Sequence, residues 1–227
     1  MNRVIISHGQ TNYLPSFYTS CVQNTVVVLD APTDEDTYLC KIHGYNTVLM
    51  PKMGNRSANR NAGLSYIMDQ YPDTDIVEFL DGDRVPESYS PMHTQELLRG
   101  TADCVLYTCV KDTRKSKYIV GAALDTVVDT GTMCNPFYSC GFAMTTQAIR
   151  RVQEFNQGML FDERFTEWGC EDQLLGLICS HLGLTVVLTT TTTIAGDVGG
   201  DAHRHGTYRV ALQKYVDAIR ELGLTVR

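Results

Sequence analysis

Short runs of apolar and β-branched residues alternate with longer polar or amphipathic stretches in the first third of the chain. Four such runs, at 4–7, 25–29, 47–50 and 76–80, have the length and composition of β-strands. The stretches between them are long enough for helices. This alternation predicts an α/β fold with a mostly parallel central sheet flanked by helices, and a ligand crevice at the carboxyl ends of the strands.

The hydrophobic pattern is looser in the rest of the chain. A strand predicted at 103–110 precedes a basic loop and a stretch rich in glycine and threonine. Further along, the pattern predicts helices at 145–155 and 171–182, a strand at 185–188 and a last helix at 208–222. We see no internal repeat in the sequence.

Composition and charge narrow the function classes. The chain has 227 residues, 43% of them hydrophobic, which fits one large domain or two halves that share a sheet. We find neither a run of about 18 apolar residues nor a signal-peptide core, so we expect a cytoplasmic protein without a membrane partner. The net charge of −7 disfavours broad attraction to nucleic acid. None of the eight cysteines forms a C-x-x-C pair, and we expect buried thiols.

Two aspartates separated by a glycine follow the fourth predicted strand. Alternation along an extended chain directs Asp81 and Asp83 to one side, and Gly82 permits a tight turn between them. Carboxylate oxygens at the end of a strand suit Mg²⁺ or Mn²⁺ that bridges a diphosphate. Taken alone, the motif also fits an ordinary Asp-Gly turn.

A segment with two arginines lies upstream of the aspartates. Ser57 is a candidate helix cap, which makes Arg56 and Arg60 neighbours one helical turn apart. That spacing can direct both guanidinium groups at a diphosphate, while Gly63 lets the helix approach the sheet closely. The alternative is a pair of solvated arginines at an exposed helix start.

A block rich in aromatic and acidic residues runs from 161 to 172. It contains Trp168, the only tryptophan of the chain, and ends in Glu171 and Asp172 at the start of a predicted helix. A carboxylate beside an aromatic wall can act as a general base toward a sugar hydroxyl. The acidic pair also fits the favourable placement of negative charge at a helix N-terminus.

Two histidines lie close together near the C-terminus. His203 or His205 could supply a nitrogen ligand to a cation bound at Asp83. Taken alone, the pattern favours exposed loop histidines, and the metal role depends on the other motifs.

Together, these segments resemble glycosyltransferases of the GT-A fold. The likeness is to the family 2 group and to the chondroitin-polymerase-like and galactosyltransferase-like enzymes near it, and it spans nearly the whole chain. It implies a single GT-A catalytic domain at 1–227, with a nucleotide-sugar-binding half at 1–85 and an acceptor-binding and catalytic half at 86–227. It also implies metal-dependent transfer of a sugar from a nucleotide diphosphate, most commonly UDP, with Mn²⁺ or Mg²⁺ as the cofactor.

The resemblance assigns roles to the residues that match the donor and metal motifs. Asp83 would bind the metal directly, Asp81 would contact the ribose or reach the metal through water, and His203 or His205 would complete the metal site. The remaining donor residues are Asp30 at the nucleotide base, Arg56, Arg60 and Asn61 lining the donor pocket, and Gly141 under the donor sugar.

The same resemblance identifies Asp172 as the catalytic base, with Glu171 and Trp168 shaping the pocket for the sugar and the acceptor. Asp172 would remove a proton from the acceptor hydroxyl as it attacks the anomeric carbon. Direct displacement inverts the anomeric configuration. Retaining relatives with a similar motif usually carry Asn at the position of Asp172, so the Glu-Asp pair favours inversion.

Other readings stay open from the sequence alone. A nucleotidyltransferase acting on sugar phosphates would carry a glycine-rich loop after its first strand, whereas the segment 7–12 contains one glycine. A non-catalytic sugar- or nucleotide-binding module would need no base, so the presence of Asp172 together with the aspartate motif argues against this alternative. The acceptor could be a saccharide, a protein or a modified base of viral DNA, in which case the location is the host cytoplasm. The basic run of Lys111, Arg114, Lys115 and Lys117 motivates the DNA acceptor.

Overall fold

A computed structural model describes residues 1–7, 22–51, 55–82, 85–110, 125–133, 135–137, 141–166, 169–195 and 208–227. In this part of the chain, nine strands form one sheet. They are β1 (Asn2–Ser7), β2 (Thr25–Asp30), β3 (Asn46–Met50), β4 (Ile76–Asp81), β5 (Val85–Ser88), β6 (Cys104–Val110), β7 (Asp125–Val127), β8 (Gly141–Thr145) and β9 (Val186–Ala195).

The described residues also form six α-helices, which lie against the two faces of the sheet. They are α1 (Asp34–Ile42), α2 (Arg56–Gln70), α3 (Pro91–Gly100), α4 (Thr146–Phe155), α5 (Glu171–His181) and α6 (Tyr208–Glu221). Within the described ranges, no helix is long and apolar enough to cross a membrane.

The strand order is β3-β2-β1-β4-β8-β6-β9-β5, and β7 also pairs with β9. Strands β1 to β4 are parallel to one another, whereas β8 is antiparallel to both of its neighbours, β4 and β6. Strand β9 is parallel to β6, and β5 and β7 are antiparallel to β9. Six of the nine described strands (β1–β4, β6 and β9) therefore run in one direction, which confirms the predicted mostly parallel sheet.

Each face of the sheet has its own apolar core. On one face, side chains such as Val4, Val28 and Phe79 pack with residues of α2, α4, α5 and α6. On the other face, Ile5 and Leu80 pack with residues of α1 and α3. Because strand residues alternate between faces, Asp81 lies on the same face as Phe79, toward α2 and α5.

A buried polar cluster around Glu78 lies on the second face of the sheet. Glu78 is fully buried and accepts hydrogen bonds from Arg3 Nε at 2.5 Å, Tyr107 Oη at 2.5 Å and Tyr89 Oη at 2.9 and 3.0 Å. Burial and the neighbouring charge of Glu78 raise the pKa of Tyr107 well above its ordinary value, so the phenol stays a donor. The cluster ties β1, β4 and β6 together across the sheet.

The structure confirms the strands and helices that the sequence pattern predicts, with two differences. The strand predicted at 185–188 continues to Ala195, because the threonine run is β-branched and pairs with β5 and β6. Helix α2 is capped by Asn55, whose Oδ1 accepts from Ala58 N at 2.9 Å. Ser57 therefore lies inside the first turn, and its prediction as the cap is wrong.

Four of the eight cysteines lie in described positions where their side chains are also defined. Cys40, Cys104, Cys170 and Cys179 are all buried free thiols. The prediction of buried thiols is confirmed for these four. The basic run Lys111, Arg114, Lys115 and Lys117 lies outside the described residues.

Candidate functional site

The carboxyl ends of the parallel strands bring two of the predicted donor-site aspartates to one edge of the sheet. Asp30 is the last residue of β2 and Asp81 is the last residue of β4, with β1 between them. Two strand spacings of roughly 4.8 Å therefore separate their backbones. Asp30 is buried, and Ala31 after it has a φ of +50°, an uncommon value for a residue with a side chain.

The glycine after Asp81 is required by close contact with β1. Gly82 N donates a hydrogen bond to Ile6 O at 2.6 Å. A Cβ at this position would lie 2.8 Å from the same oxygen and 3.2 Å from Ser7 Cα, which no side chain accommodates without moving the backbone. The glycine of the aspartate motif thus keeps the turn against the end of β1.

Helix α2 carries the two predicted donor-pocket arginines, but their environments differ. Arg56 lies partly exposed in the first turn, whereas Arg60 is only 1% exposed. Arg60 Nη2 donates to Asp81 Oδ1 at 2.9 Å, and Arg60 Nη1 donates to Glu171 Oε1 at 3.4 Å. One guanidinium therefore joins carboxylates that lie 90 positions apart in the sequence, from the two predicted halves of the domain.

Neighbouring carboxylates keep Arg60 charged despite its burial. Burial by itself lowers the pKa of the guanidinium, but the charges of Asp81, Glu171 and Asp172 and the hydrogen bond to Asp81 raise it, and the net shift of the pKa is upward. The three carboxylates thus share one buried cation. Negative charge at this edge of the sheet is partly balanced before any ligand binds.

The aromatic and acidic block packs directly on α2. The Phe161 ring lies beneath the Arg60 guanidinium, with 5.1 Å between Cζ and the ring centroid. Asn61 Nδ2 donates to Phe161 O at 2.7 Å and to Glu163 Oε1 at 2.9 Å. Asn55 Nδ2 also donates to Glu163 O, at 3.1 Å. The block is therefore held in place by the start of α2.

A strained turn precedes the acidic pair at the start of α5. Gly169 has a φ of +103°, and Cys170, the residue before the helix, has a φ of +72°. A left-handed conformation costs a non-glycine residue roughly 1–2 kcal/mol and is concentrated at functional sites. The turn places Glu171 in the buried interior, while Asp172 stays partly exposed.

The two residues of the acidic pair have different surroundings. Glu171 Oε1 is held by Arg60, and Glu171 Oε2 is buried without a hydrogen-bond partner among the residues that the structure describes. Asp172 Oδ1 accepts from Gln173 N at 2.9 Å. Glu171 is thus fixed by one oxygen, and Asp172 is the member of the pair that solvent reaches.

Gly141, predicted to lie under the donor sugar, begins β8 and is paired with Leu80 in the antiparallel ladder between β8 and β4. Gly141 is buried, and its cross-strand partner Leu80 directly precedes Asp81 in the sequence. Four predicted site residues, Asp83, Trp168, His203 and His205, lie outside the described residues. Within the described part of the chain, no three His, Cys, Asp or Glu side chains come together as a metal site.

A surface cleft with a volume of about 370 Å³ lies beside Glu163, which accepts a hydrogen bond from Asn61. Its lining includes Asp162, Arg164 and Glu221, which are already joined by ion pairs. The lining contains none of the predicted site residues. We therefore place the candidate site at Asp30, Asp81 and Glu171, not at this cleft.

The sequence reasoning missed the roles of Phe161 and Glu163 as partners of α2. Both lie in a block that the sequence singled out, but a contact across 100 positions has no local signature. The adjacency of Arg60 and Asn61 on one helix was the available signal. Consecutive helix residues point in different directions, so the pair can contact two separate segments.

Comparison with known proteins supports the fold. No protein-family model and no curated protein matches the sequence. Among solved structures, TarS of S. aureus is 13% identical with a TM-score of 0.61. The match covers 96% of this chain and 43% of the TarS chain. A mycobacterial protein is 14% identical with a TM-score of 0.63, at 98% and 74% coverage. GalNAc-T7, determined with UDP, GalNAc and Mn²⁺, is 12% identical with a TM-score of 0.62, at 96% and 47% coverage.

These similarities confirm the predicted α/β GT-A fold class. The chain spans less than half the length of TarS and of GalNAc-T7. At 12–14% identity, the likeness concerns the arrangement of strands and helices. The chemistry of the site depends on the site's own residues.

Proposed function

We propose that this chain is a metal-dependent glycosyltransferase that transfers a sugar from a nucleotide diphosphate, most simply UDP, to an acceptor hydroxyl with inversion. The observation that carries the proposal is the meeting of Asp81 and Glu171 at the Arg60 guanidinium. It joins the motif expected to hold the diphosphate and metal to the motif expected to activate the acceptor. The neighbour GalNAc-T7, determined with UDP, GalNAc and Mn²⁺, supports the same ligand class.

The donor-side residues fit a divalent cation of the Mg²⁺ or Mn²⁺ class. Asp81 Oδ1 is engaged by Arg60, which suits Asp81 to a ribose or to a water-mediated contact and leaves direct binding to Asp83. His203 or His205 would supply the remaining protein ligand. When bound, the cation neutralises charge that develops on the departing diphosphate. Asp30 would accept a hydrogen bond from the nucleotide base.

Asp172 is the proposed base. It is the more exposed member of the acidic pair, it lies in the first turn of α5, and its Oδ1 accepts a hydrogen bond from Gln173 N. In that position it would take the proton of the acceptor hydroxyl as the oxygen attacks the anomeric carbon. The buried Glu171 Oε2, which lacks a partner among the described residues, would accept a hydrogen bond from a sugar hydroxyl.

Nucleotide binding is the first test. Calorimetry with UDP, GDP, CDP and dTDP, in Mn²⁺, in Mg²⁺ and without metal, should detect metal-dependent binding of one nucleotide. Asp83→Ala should abolish that binding, whereas Asp73→Ala, at an exposed aspartate, should not change it. If no nucleotide binds with either Mn²⁺ or Mg²⁺, the glycosyltransferase proposal is refuted.

Turnover is the second test, and it needs no knowledge of the acceptor. Release of UDP from UDP-glucose, UDP-galactose, UDP-GlcNAc and UDP-GalNAc, with water as the acceptor, should identify the donor sugar. Asp172→Asn should lower this rate by about 10²–10⁴-fold while UDP binding in Mn²⁺ stays within about threefold of the parent. Equal loss of binding and rate would indicate that Asp172 belongs to the donor site instead.

A further inference from the structure

The buried guanidinium of Arg60 has the geometry of a connector between two parts of the candidate site. It contacts Asp81 at the end of β4 and Glu171 at the start of α5, at 2.9 and 3.4 Å. The side chain exposures are 1% for Arg60, 14% for Asp81 and 6% for Glu171. All three groups are thus largely shielded from water. Charges interact more strongly in such a buried environment than they do in water.

The orientation of this guanidinium is set by the protein itself. The Phe161 ring lies 5.1 Å from Arg60 Cζ, and the backbone of Phe161 is in turn held by the side chain of Asn61. With 1% of its surface exposed, Arg60 presents no open face to a diphosphate in this conformation. We therefore expect its effect on a ligand to pass through groups that it contacts, which include Asp81 and Glu171.

We propose that Arg60 is a positioning residue that fixes the separation of Asp81 and Glu171 and balances their charge, without contacting the donor. The inference rests on the proposed function for its catalytic meaning, but its structural part stands alone. Asp81 and Glu171 are drawn toward opposite arms of one planar group, and the fork geometry of arginine makes this bridging possible. In this way Arg60 holds the end of β4 at a fixed distance from the start of α5, which carries the proposed base Asp172.

The charge balance gives a test that does not depend on any ligand. In the parent, Glu171→Gln removes a buried ion pair and should lower the midpoint of thermal unfolding. In the Arg60→Met background, Glu171 is a buried carboxylate without its cation, so Glu171→Gln should raise the midpoint. The sign of the Glu171→Gln effect therefore reverses between the two backgrounds.

A matched control separates this coupling from a general effect of removing acidic residues. Glu35 lies in the first turn of α1, as Glu171 does in α5, but it is exposed. Glu35→Gln should change the midpoint equally in both backgrounds. If Glu171→Gln also has the same effect with and without Arg60, the bridge does not exist and the proposal is overturned. Arg60→Lys replaces Arg60→Met if the latter fails to fold, and should give an intermediate result.

Ligand binding distinguishes positioning from direct contact. Arg60→Met should weaken UDP binding in Mn²⁺ by at least about tenfold, because Asp81 and Glu171 then lack their shared cation and repel each other, which moves Asp81 out of position. Arg60→Met combined with Glu171→Gln should recover most of that loss if Arg60 acts by balancing charge. A double variant that binds UDP as weakly as Arg60→Met would assign Arg60 to the diphosphate instead. If the parent binds no nucleotide, the proposed function fails, while the unfolding measurements still decide the bridge.

Discussion

The side-chain amide of Asn61 pairs with the backbone of Phe161 as one strand pairs with another. Asn61 Nδ2 donates to Phe161 O at 2.7 Å, and Phe161 N donates to Asn61 Oδ1 at 3.1 Å, across 100 positions of sequence. Phe161 is fully buried, so water cannot replace these partners. The amide of one helix residue therefore determines where the block that leads to Glu171 begins.

Replacing Asn61 should destabilise the protein more than a surface change of the same chemistry. Asn61→Ala leaves the N–H and the C=O of Phe161 without partners, and we expect a loss of about 2 kcal/mol in the free energy of unfolding. Asn61→Asp keeps the acceptor but loses the donor, and should cost about as much. Urea denaturation measures both, with the exposed Asn24→Ala as the control. A loss for Asn61→Ala no larger than that of the control would contradict the role of this pair.

Gly63 should tolerate no side chain, because α2 lies close to the sheet at this point. A Cβ there would be 2.5 Å from Val4 Cγ1 and 2.8 Å from Val28 Cγ2. We expect Gly63→Ala to lower the free energy of unfolding by about 1–3 kcal/mol through overpacking. Gly100→Ala is the matched control, since nothing lies within 4 Å of its Cβ and alanine favours the helix. Equal stability of the two variants would show that α2 can move away from the sheet.

Much of the first half of this fold could be predicted because its signals are local. The strands at 4–7, 25–29, 47–50 and 76–80 are short apolar runs that end in turns, and all four were found. Strands β5, β7 and β8 were not predicted. They have three to five residues, and their pairing partners lie far away in the sequence, so their formation depends on tertiary contacts that a local pattern does not show.

The site could be predicted in its residues more than in its connections. Asp30 and Asp81 end strands and Glu171 begins a helix, and the general rule for ligand crevices in α/β sheets predicts a site at such positions. Arg60 was expected to face a diphosphate, but the structure places it 1% exposed between two carboxylates. Helical spacing shows which residues are neighbours on a surface, but not whether another segment will cover that surface.

Stability should fall at alkaline pH because buried thiols resist ionisation. Burial, and next the charge of Asp103, raise the pKa of Cys179 from 9.0 to about 12. The folded state thus holds this proton more tightly than the unfolded state, and the stabilisation is complete below pH 9 and is lost between about pH 9 and 12. Cys179→Ala should reduce the slope of unfolding free energy in that window by up to about 1.4 kcal/mol per pH unit.

The control for this pH effect is a buried alanine substitution without a titrating group. Leu174→Ala, also on the buried side of α5, should lower stability at every pH and leave the slope as in the parent. Urea denaturation at pH 8, 9, 10 and 11 supplies the comparison. A parent and a Cys179→Ala variant with the same slope would mean that the thiol ionises equally in both states.

Helix α5 allows effects on stability to be distinguished from effects on activity, because a glycine with positive φ lies at each of its ends. Gly169 precedes α5 with a φ of +103°, and Gly183 follows it with a φ of +65°. Alanine at either position is strained, and we expect each variant to lose about 1–3 kcal/mol of stability. A Cβ on Gly169 would lie in ordinary van der Waals contact with the ring of Tyr208, at 3.4 Å, and a Cβ on Gly183 would have nothing within 4 Å, so backbone strain is the main cost at both positions.

Only one of these glycines leads into the acidic pair. Gly169→Ala should shift the start of α5 and displace both Glu171 and Asp172. The rate at which UDP is released from the UDP-sugar should then fall by at least about tenfold. Gly183→Ala strains the far end of α5 and should keep the parent rate at temperatures where it is folded. Rates that follow stability alone, with both variants equally slow at matched folded fraction, would remove the turn from the site. Slow release confined to Gly169→Ala would tie the left-handed turn to the placement of the base.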